Sequence, residues 1–248
     1  MNLFYHAITD VGCCRENNED AFLIKRIWND SYLLVVVVDG VGGENGGEYA
    51  ANLTCRCIDK FMSDVQPKGD VGDLLKSAVI YANNEIIAQQ VIPNLHHMSC
   101  VLSAVLVNIE IGYMNVAHVG DTRVYVSTQD KLLKITHDDS VVGAKEESGQ
   151  LSEEEAQKHP RRNIITRYLG ETILHWDTNY IQTYKLDLEV HSSLLLCSDG
   201  LYDMILSSKI KEILDSNFSV EKKVDSLICE AKKAGGKDNI TVIVVDIT

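Results

Sequence analysis

Two apolar runs in this sequence end on the same device, an aspartate followed by glycine. Residues 32–38, YLLVVVV, run into Asp39-Gly40, and the run SSLLLC reaches Asp199-Gly200 through Ser198. A buried carboxylate with nothing to neutralise it costs several kcal/mol or more, so such a strand end calls for a positive partner. Four further acids occupy related places. Asp121 lies in a tight turn in AHVGDTRVYV, Asp238 opens the last strand in GGKDNITVIVV, and Glu19 and Asp20 precede an early strand in RENNEDAFL. Each alone is ordinary, since Asp-Gly is a common hairpin turn and acids at strand ends are usually solvated. Brought together, they make an oxygen-only site suited to hard divalent cations, Mg²⁺ or Mn²⁺. Arg15, four positions before Glu19, offers either a bidentate hold on a phosphate or a surface pair with a nearby acid, and spacing alone leaves both open.

Other chemistries fit less well. A dinucleotide fingerprint needs glycine after Gly40 and Gly42 at the position held by Asn45. LCSDG lacks the first glycine of a serine nucleophile elbow. No cysteine is followed six residues later by arginine, no H-E-x-x-H is present, and His96-His97 reads as a solvated loop.

The elements that must position these acids follow from periodicity. Strands are expected near 3–9, 20–26 and 32–38, then near 100–109, 112–119, 122–127 and 131–136, with later ones at 179–187, 193–197 and from Asn239 on. Two amphipathic helices separate the first and second blocks. One places Ala50, Leu53, Cys57, Ile58, Phe61 and Met62 on one face; the other places Leu74, Leu75, Ala78, Val79, Ala82, Ile86 and Ile87. Short helices interrupt 137–175, where LSEEEAQKHP carries Ser152 and Glu155 at capping-box spacing. Further helices fall near 208–215 and 220–233. Short turns between strands imply antiparallel pairing, and strands grouped in blocks imply an α+β class. The expected architecture is two antiparallel sheets with helix pairs on their outer faces.

Composition narrows the partners. A formal net charge of −13 over 248 residues disfavours nucleic acid and anionic membrane. No linker-like stretch or solenoid repeat appears, so one domain over 1–248 is expected. Seven cysteines with no C-x-x-C pair, no signal-like N-terminus and no apolar run of membrane length predict a reducing, cytoplasmic setting.

The segments TDVGCCRENNEDAF, VVVVDGVGGENGGEYAA, AHVGDTRVYV, ITHDDS, SEEEAQKHPRRNIITRYLG, LLLCSDGLYD and KDNITVIVV, in that order, resemble the motif series of metal-dependent serine/threonine protein phosphatases. The resemblance is to the type 2C family in its compact bacterial form, and it spans almost the whole chain. It implies a central sandwich of two sheets flanked by helix pairs, with a flap segment over about 140–178. It also implies roles. Asp39 bridges two metal ions with the Gly40 carbonyl on the first, and Asp199 and Asp238 complete the second. Glu19 and Asp20 hold metal-bound waters, Asp121 with Asp199 takes a possible third ion, and Arg15 orients the substrate phosphate. The implied cofactors are Mn²⁺ or Mg²⁺. The implied partners are phosphorylated proteins, among them a bacterial serine/threonine kinase, with the enzyme a monomer.

Three positions depart from the family pattern. Val41 stands where many eukaryotic relatives carry histidine, which leaves water to protonate the departing serine oxygen. Ser99-Cys100-Val101 replaces Gly-Thr-Thr and lacks a hydroxyl for a metal-bound water. Asp138-Asp139-Ser140 replaces Asp-His-Ser. Two other readings use the same residues: a catalytically weak member that binds phosphoproteins or regulates, and a small-molecule phosphomonoesterase.

Overall fold

The computed structural model describes residues 1–41, 46–92, 95–172, 177 and 179–248. Gly42 and Asn45, which bear on the dinucleotide comparison, and residues 173–176 and 178 of the expected flap lie outside the described residues. The chain folds into two compact units. The first comprises Met1, Glu19–Val119 and Tyr168–Leu188; the second comprises Asn2–Asn18, Gly120–Arg167 and Glu189–Thr248.

In the first unit, β2 (Asp20–Ile27), β3 (Tyr32–Val41), β4 (Ser99–Asn108), β5 (Tyr113–Val119) and β8 (Gln182–Asp187) form an antiparallel sheet in the order β2-β3-β4-β5-β8. β3, β4 and β5 are its inner strands: Leu33 to Val38 are fully buried, as is nearly all of β4. Helices α1 (Gly46–Asp64) and α2 (Val71–Gln89) pack against each other, and α1 lies on β2 and β3. The helix faces expected from periodicity are largely the observed ones. Cys57, Ile58, Met62, Leu75, Ala78, Val79, Ala82 and Ile86 are buried, whereas Leu53 and Phe61 are only partly covered. Each fully buried aliphatic side chain contributes about 1.5–3 kcal/mol, which is why these stripes hold the helices to the sheet. Asp70 caps α2 by accepting from the Gly72 amide at 2.8 Å.

In the second unit the sheet order is β1-β10-β9-β6-β7, from β1 (Leu3–Asp10), β10 (Ile240–Ile247), β9 (Ser192–Cys197), β6 (Arg123–Ser127) and β7 (Leu132–Lys134). Helix α7 (Val220–Lys233) covers β1 and β10 and packs on α6 (Ser207–Leu214). Val224, Leu227 and Ala231 of α7 meet Leu195, Val242 and Val244 in one buried cluster. Helices α3 (Val141–Glu147) and α4 (Glu153–Gln157) interrupt the strands as expected. The capping box of α4 is formed: Ser152 Oγ accepts from the Glu155 amide, and the Glu155 carboxylate accepts from the Ser152 amide at 2.8 Å.

The α+β class with two antiparallel sheets is therefore observed. Four details differ from expectation. Asp199-Gly200 is not a hairpin turn but the start of a short helix, α5 (Asp199–Tyr202). The last strand begins at Ile240, so Asp238 precedes it, and β8 begins at Gln182 rather than 179. One of the junctions between the two units, Arg167 to Tyr168, falls inside the expected flap.

Candidate metal and phosphate site

In the first unit the register of β2 against β3 decides the arrangement. Asp20 is the direct cross-strand partner of Asp39. Direct partners project from the same face with Cβ atoms about 4.5–5.5 Å apart, and two like charges so placed repel each other. Asp20 is also buried, at 7% exposure. Gly40 continues the strand, and its amide donates to the Glu19 carbonyl at 3.1 Å. Here glycine is required. A Cβ on Gly40 would collide with the Gly47 carbonyl and lie 2.6 Å from the Glu19 carbonyl; one on Gly47 would meet the Glu19 carboxyl carbon at 3.0 Å. The end of β3, the start of α1 and Glu19 thus approach each other closely enough to admit only backbone. Glu19, Asp20, Asp39 and Gly40 form one local group of oxygen donors.

On its other side Asp39 pairs with Val101 of β4, and Gly40 with Cys100. The Cys100 sulfur lies 3.2 Å from Thr54 Oγ1. Burial pushes the Cys100 thiol up to about 12, against the Thr54 hydrogen bond and with help from the Asp39 charge. Burial does the same to Cys55 and Cys197. These three thiols are packing groups, not nucleophiles.

In the second unit the antiparallel register places the remaining candidates at one end of the sheet. β9 ends at Cys197, whose partners are Val242 and Arg123, and β1 ends at Asp10, opposite Ile240. The segments that carry Arg15, Asp121, Asp199 and Asp238 all leave the sheet at that end. Gly200, just after Asp199, passes so close to the Asn239 carbonyl that no side chain fits. Ser198 and Thr241 exchange hydrogen bonds of 3.0 and 3.1 Å and lock the two strand ends together.

Asp121 is 6% exposed, and burial, reinforced by the charge of Asp138 and opposed by Arg123, lifts its carboxyl to about 7. Its turn is clamped from outside. The Asp139 amide donates to the Gly120 carbonyl at 2.7 Å, and Asp139 Oδ2 accepts from the Gly120 amide at 3.0 Å. The departure at Asp138-Asp139-Ser140 now has a structural account. Asp138 accepts from Arg123, Asp139 holds the Asp121 turn, and Ser140 caps α3.

Arg15 is exposed, and its Nη2 donates to Asp238 Oδ2 at 2.8 Å. An acid that pairs with Arg15, as the surface-pair reading expects, is Asp238, remote in sequence. Two residues of this region escaped the sequence reading. Asp203, the residue that ends α5 four positions after Asp199, has a carboxyl raised to about 6 by burial, and its neighbouring charges include Arg162, at 2.9 Å, and Asp238. The i, i+4 spacing was its available signal. Arg123 is 4% exposed and held by Asp138 at 2.6 Å, by Glu146 at 2.8 Å, by the Tyr125 hydroxyl and by the Tyr202 ring at 3.7 Å. A lone arginine opening an apolar strand was the sign of it. A polar cleft within this unit is bordered by Arg123, Asp138, Glu146, Arg162, Asp199 and Asp203.

The acids thus occur as two oxygen-donor groups, one in each unit. Among the described residues, no three His, Cys, Asp or Glu side chains form a ready-made metal cluster. The donor set nonetheless fits hard divalent ions: it is all oxygen, and the paired Asp20 and Asp39 carboxylates favour a cation between them.

Comparison with known proteins gives one consistent answer. A family model described as protein phosphatase 2C matches residues 15–233. The chain is 31% identical to the serine/threonine phosphatase stp of Listeria welshimeri over 252 residues, covering 96% of this chain and 93% of that protein. It is 34% identical to the serine/threonine protein phosphatase PstP of Mycobacterium tuberculosis, covering 99% of this chain and 45% of that protein. Among solved structures, Stp1 of Staphylococcus aureus superposes with a TM-score of 0.88 at 29% identity, over 100% of this chain and 96% of that one. A catalytic domain of PstP in complex with two manganese ions superposes with a TM-score of 0.83 at 31% identity, over 99% and 98%.

Proposed function

The chain belongs to the protein phosphatase 2C family and is a metal-dependent serine/threonine protein phosphatase; from that premise we propose that it cleaves phosphoserine and phosphothreonine with a two-ion Mn²⁺ or Mg²⁺ centre. The observation that carries this reading is the cross-strand pair Asp20–Asp39, two acids set side by side at the end of a buried sheet. Asp39 would be a metal ligand, with the Gly40 carbonyl a further donor. Asp199 and Asp238 would also hold metal, Glu19 and Asp20 would accept hydrogen bonds from metal-bound water, and Asp121 would serve a third ion. Bound divalent ions supply a water of lowered pKa and neutralise charge for in-line displacement at phosphorus.

The chain's own groups do the rest. Arg15 provides a fixed fork of donors for the phosphate oxygens. Val41 has no ionisable group, so solvent protonates the leaving oxygen. Val101, the other neighbour of Asp39, brings no hydroxyl to the site. In this reading residues 1–248 act as one catalytic domain with a flap over about 140–178. The enzyme acts as a monomer in the cytoplasm, opposing a serine/threonine kinase.

The test compares turnover of a phosphothreonine peptide with that of a small phosphomonoester, with Mn²⁺, with Mg²⁺ and with chelator. The expected outcome is peptide turnover abolished by chelator and restored by either ion. Turnover that persists in chelator excludes the metal mechanism, and turnover of the small ester alone excludes the protein substrate.

A further inference from the structure

We propose that Asn239 is a positioning residue that holds Arg15 in its phosphate-binding place. The inference rests on the reading of Arg15 given above and deepens it. Arg15 belongs to a stretch, residues 11–18, with no helix or strand of its own. An exposed arginine on such a stretch would ordinarily lose much of its binding energy to ordering the backbone when a phosphate arrives. Here the ordering is already done. The Asn239 side chain is 4% exposed, and its amide nitrogen donates to two carbonyls at opposite ends of the excursion, Val11 at 3.1 Å and Asn17 at 2.8 Å. One NH₂ group thus closes the loop that has Arg15 near its middle.

The side-chain type matters. Serine or threonine on the same stem brings a single donor, aspartate none, and glutamine places its donor one carbon further out. The rest of the junction combines backbone and side-chain contacts, among them a bond of 2.8 Å from the Asn18 side chain to Thr9 Oγ1. The Cys13 amide donates to the Gly236 carbonyl at 2.7 Å, and the Gly12 amide donates to Asp10 Oδ1 at 2.8 Å. Gly12, at φ +79°, crosses the Asp238 carbonyl with no room for a Cβ. Lys232 Nζ pairs with Asp10 at 2.8 Å on one side, and Arg15 meets Asp238 on the other. Asn239 adjoins Asp238 in sequence, and its own amide donates to Asp238 Oδ1 at 2.9 Å. The residue that holds the arginine loop therefore also borders a proposed metal ligand, and the two functions are separable by kinetics.

The experiment is a double-mutant cycle on the full chain with a phosphothreonine peptide and Mn²⁺. It uses Asn239→Ala, Arg15→Ala and the double variant, with hydrogen exchange of the amides at 12–18 as a readout independent of turnover. Loss of two hydrogen bonds predicts about a tenfold rise in KM for Asn239→Ala, with kcat and the half-activating Mn²⁺ concentration unchanged and with faster exchange in 12–18. In the Arg15→Ala background the same substitution should change KM by less than about twofold. Asn239→Ser, which keeps one donor and a smaller perturbation of the core, should give an intermediate KM and decides the matter if the alanine variant does not fold. Equal effects in both backgrounds, a fall in kcat, a shift in the Mn²⁺ requirement or unchanged exchange overturns the proposal. If Arg15→Ala alone leaves kcat/KM at the wild-type value, the phosphate role of Arg15 falls. If Arg15→Ala is impaired and Asn239→Ala is not, only the positioning role falls.

Discussion

Both units are five-stranded antiparallel sheets with helices on a face, yet they handle buried charge differently. The first unit has an inner strand, β3, of uninterrupted buried aliphatic residues from Leu33 to Val38, and its functional acids come directly out of the strand ladder, as Asp20 beside Asp39. The second unit puts its acids beyond the strand ends, in loops and at the start of α5, next to a buried arginine, Arg123, that pairs with Asp138 and Glu146. In the first, backbone pairing alone decides where a carboxylate points. In the second, the carboxylates depend on a charged network that must itself be assembled. The first arrangement is hard to disturb without unfolding the sheet; the second can be altered one side chain at a time.

Four substitutions or conditions test that contrast. Asp39→Asn should abolish turnover, a larger loss than the roughly 10–100-fold that removal of a metal ligand's outer partner causes, while thermal unfolding barely moves because asparagine keeps the strand register. A variant that turns over normally would reduce Asp39 to a strand-end residue. Arg123→Met should leave the buried Asp138 with Lys134 but without its guanidinium partner and cost about 3 kcal/mol in urea unfolding, with activity lost as a consequence. A change under about 1 kcal/mol would show that the network is not what stabilises the second unit.

Asp121→Asn should lower kcat by roughly 10–100-fold and raise the half-activating Mn²⁺ concentration, with folding retained. Equal turnover and equal ion count by calorimetric titration would leave Asp121 a turn residue only. The smallest effect concerns acid. Burial alone would raise the Asp138 carboxyl, but Arg123 and Lys134 outweigh it and hold the group below its ordinary value. A group depressed in the folded state contributes stability above its unfolded value, near pH 4, and loses it as pH falls through the folded value. Urea midpoints should therefore fall more steeply below about pH 4 in wild type than in Asp138→Asn, and parallel curves would contradict the assignment.

What could be read from residue order was whatever depends on neighbours in the chain. The apolar runs ending in Asp39 and Asp199, the helix stripes and the Ser152–Glu155 box are local patterns, and the structure reproduces them. The motif series added the identity of the acids. What could not be read was pairing across distance. Arg123 finds Asp138 fifteen residues away, and Arg15 finds Asp238 from the other end of the chain. Asp139 clamps the Asp121 turn through a hydrogen bond to Gly120, a role invisible without the fold. The short helix at Asp199 was missed because a four-residue helix has too little periodicity to register.

The distribution of thiols makes the protein its own reporter. Cys13, Cys14 and Cys229 are exposed, while Cys100 lies in the core of the first unit and Cys197 in that of the second. An alkylating reagent therefore tags three sites at once and the deeper ones only when a sheet opens. Peptide mapping of the label over time would clock the opening of each unit separately, in one sample and without any engineered probe.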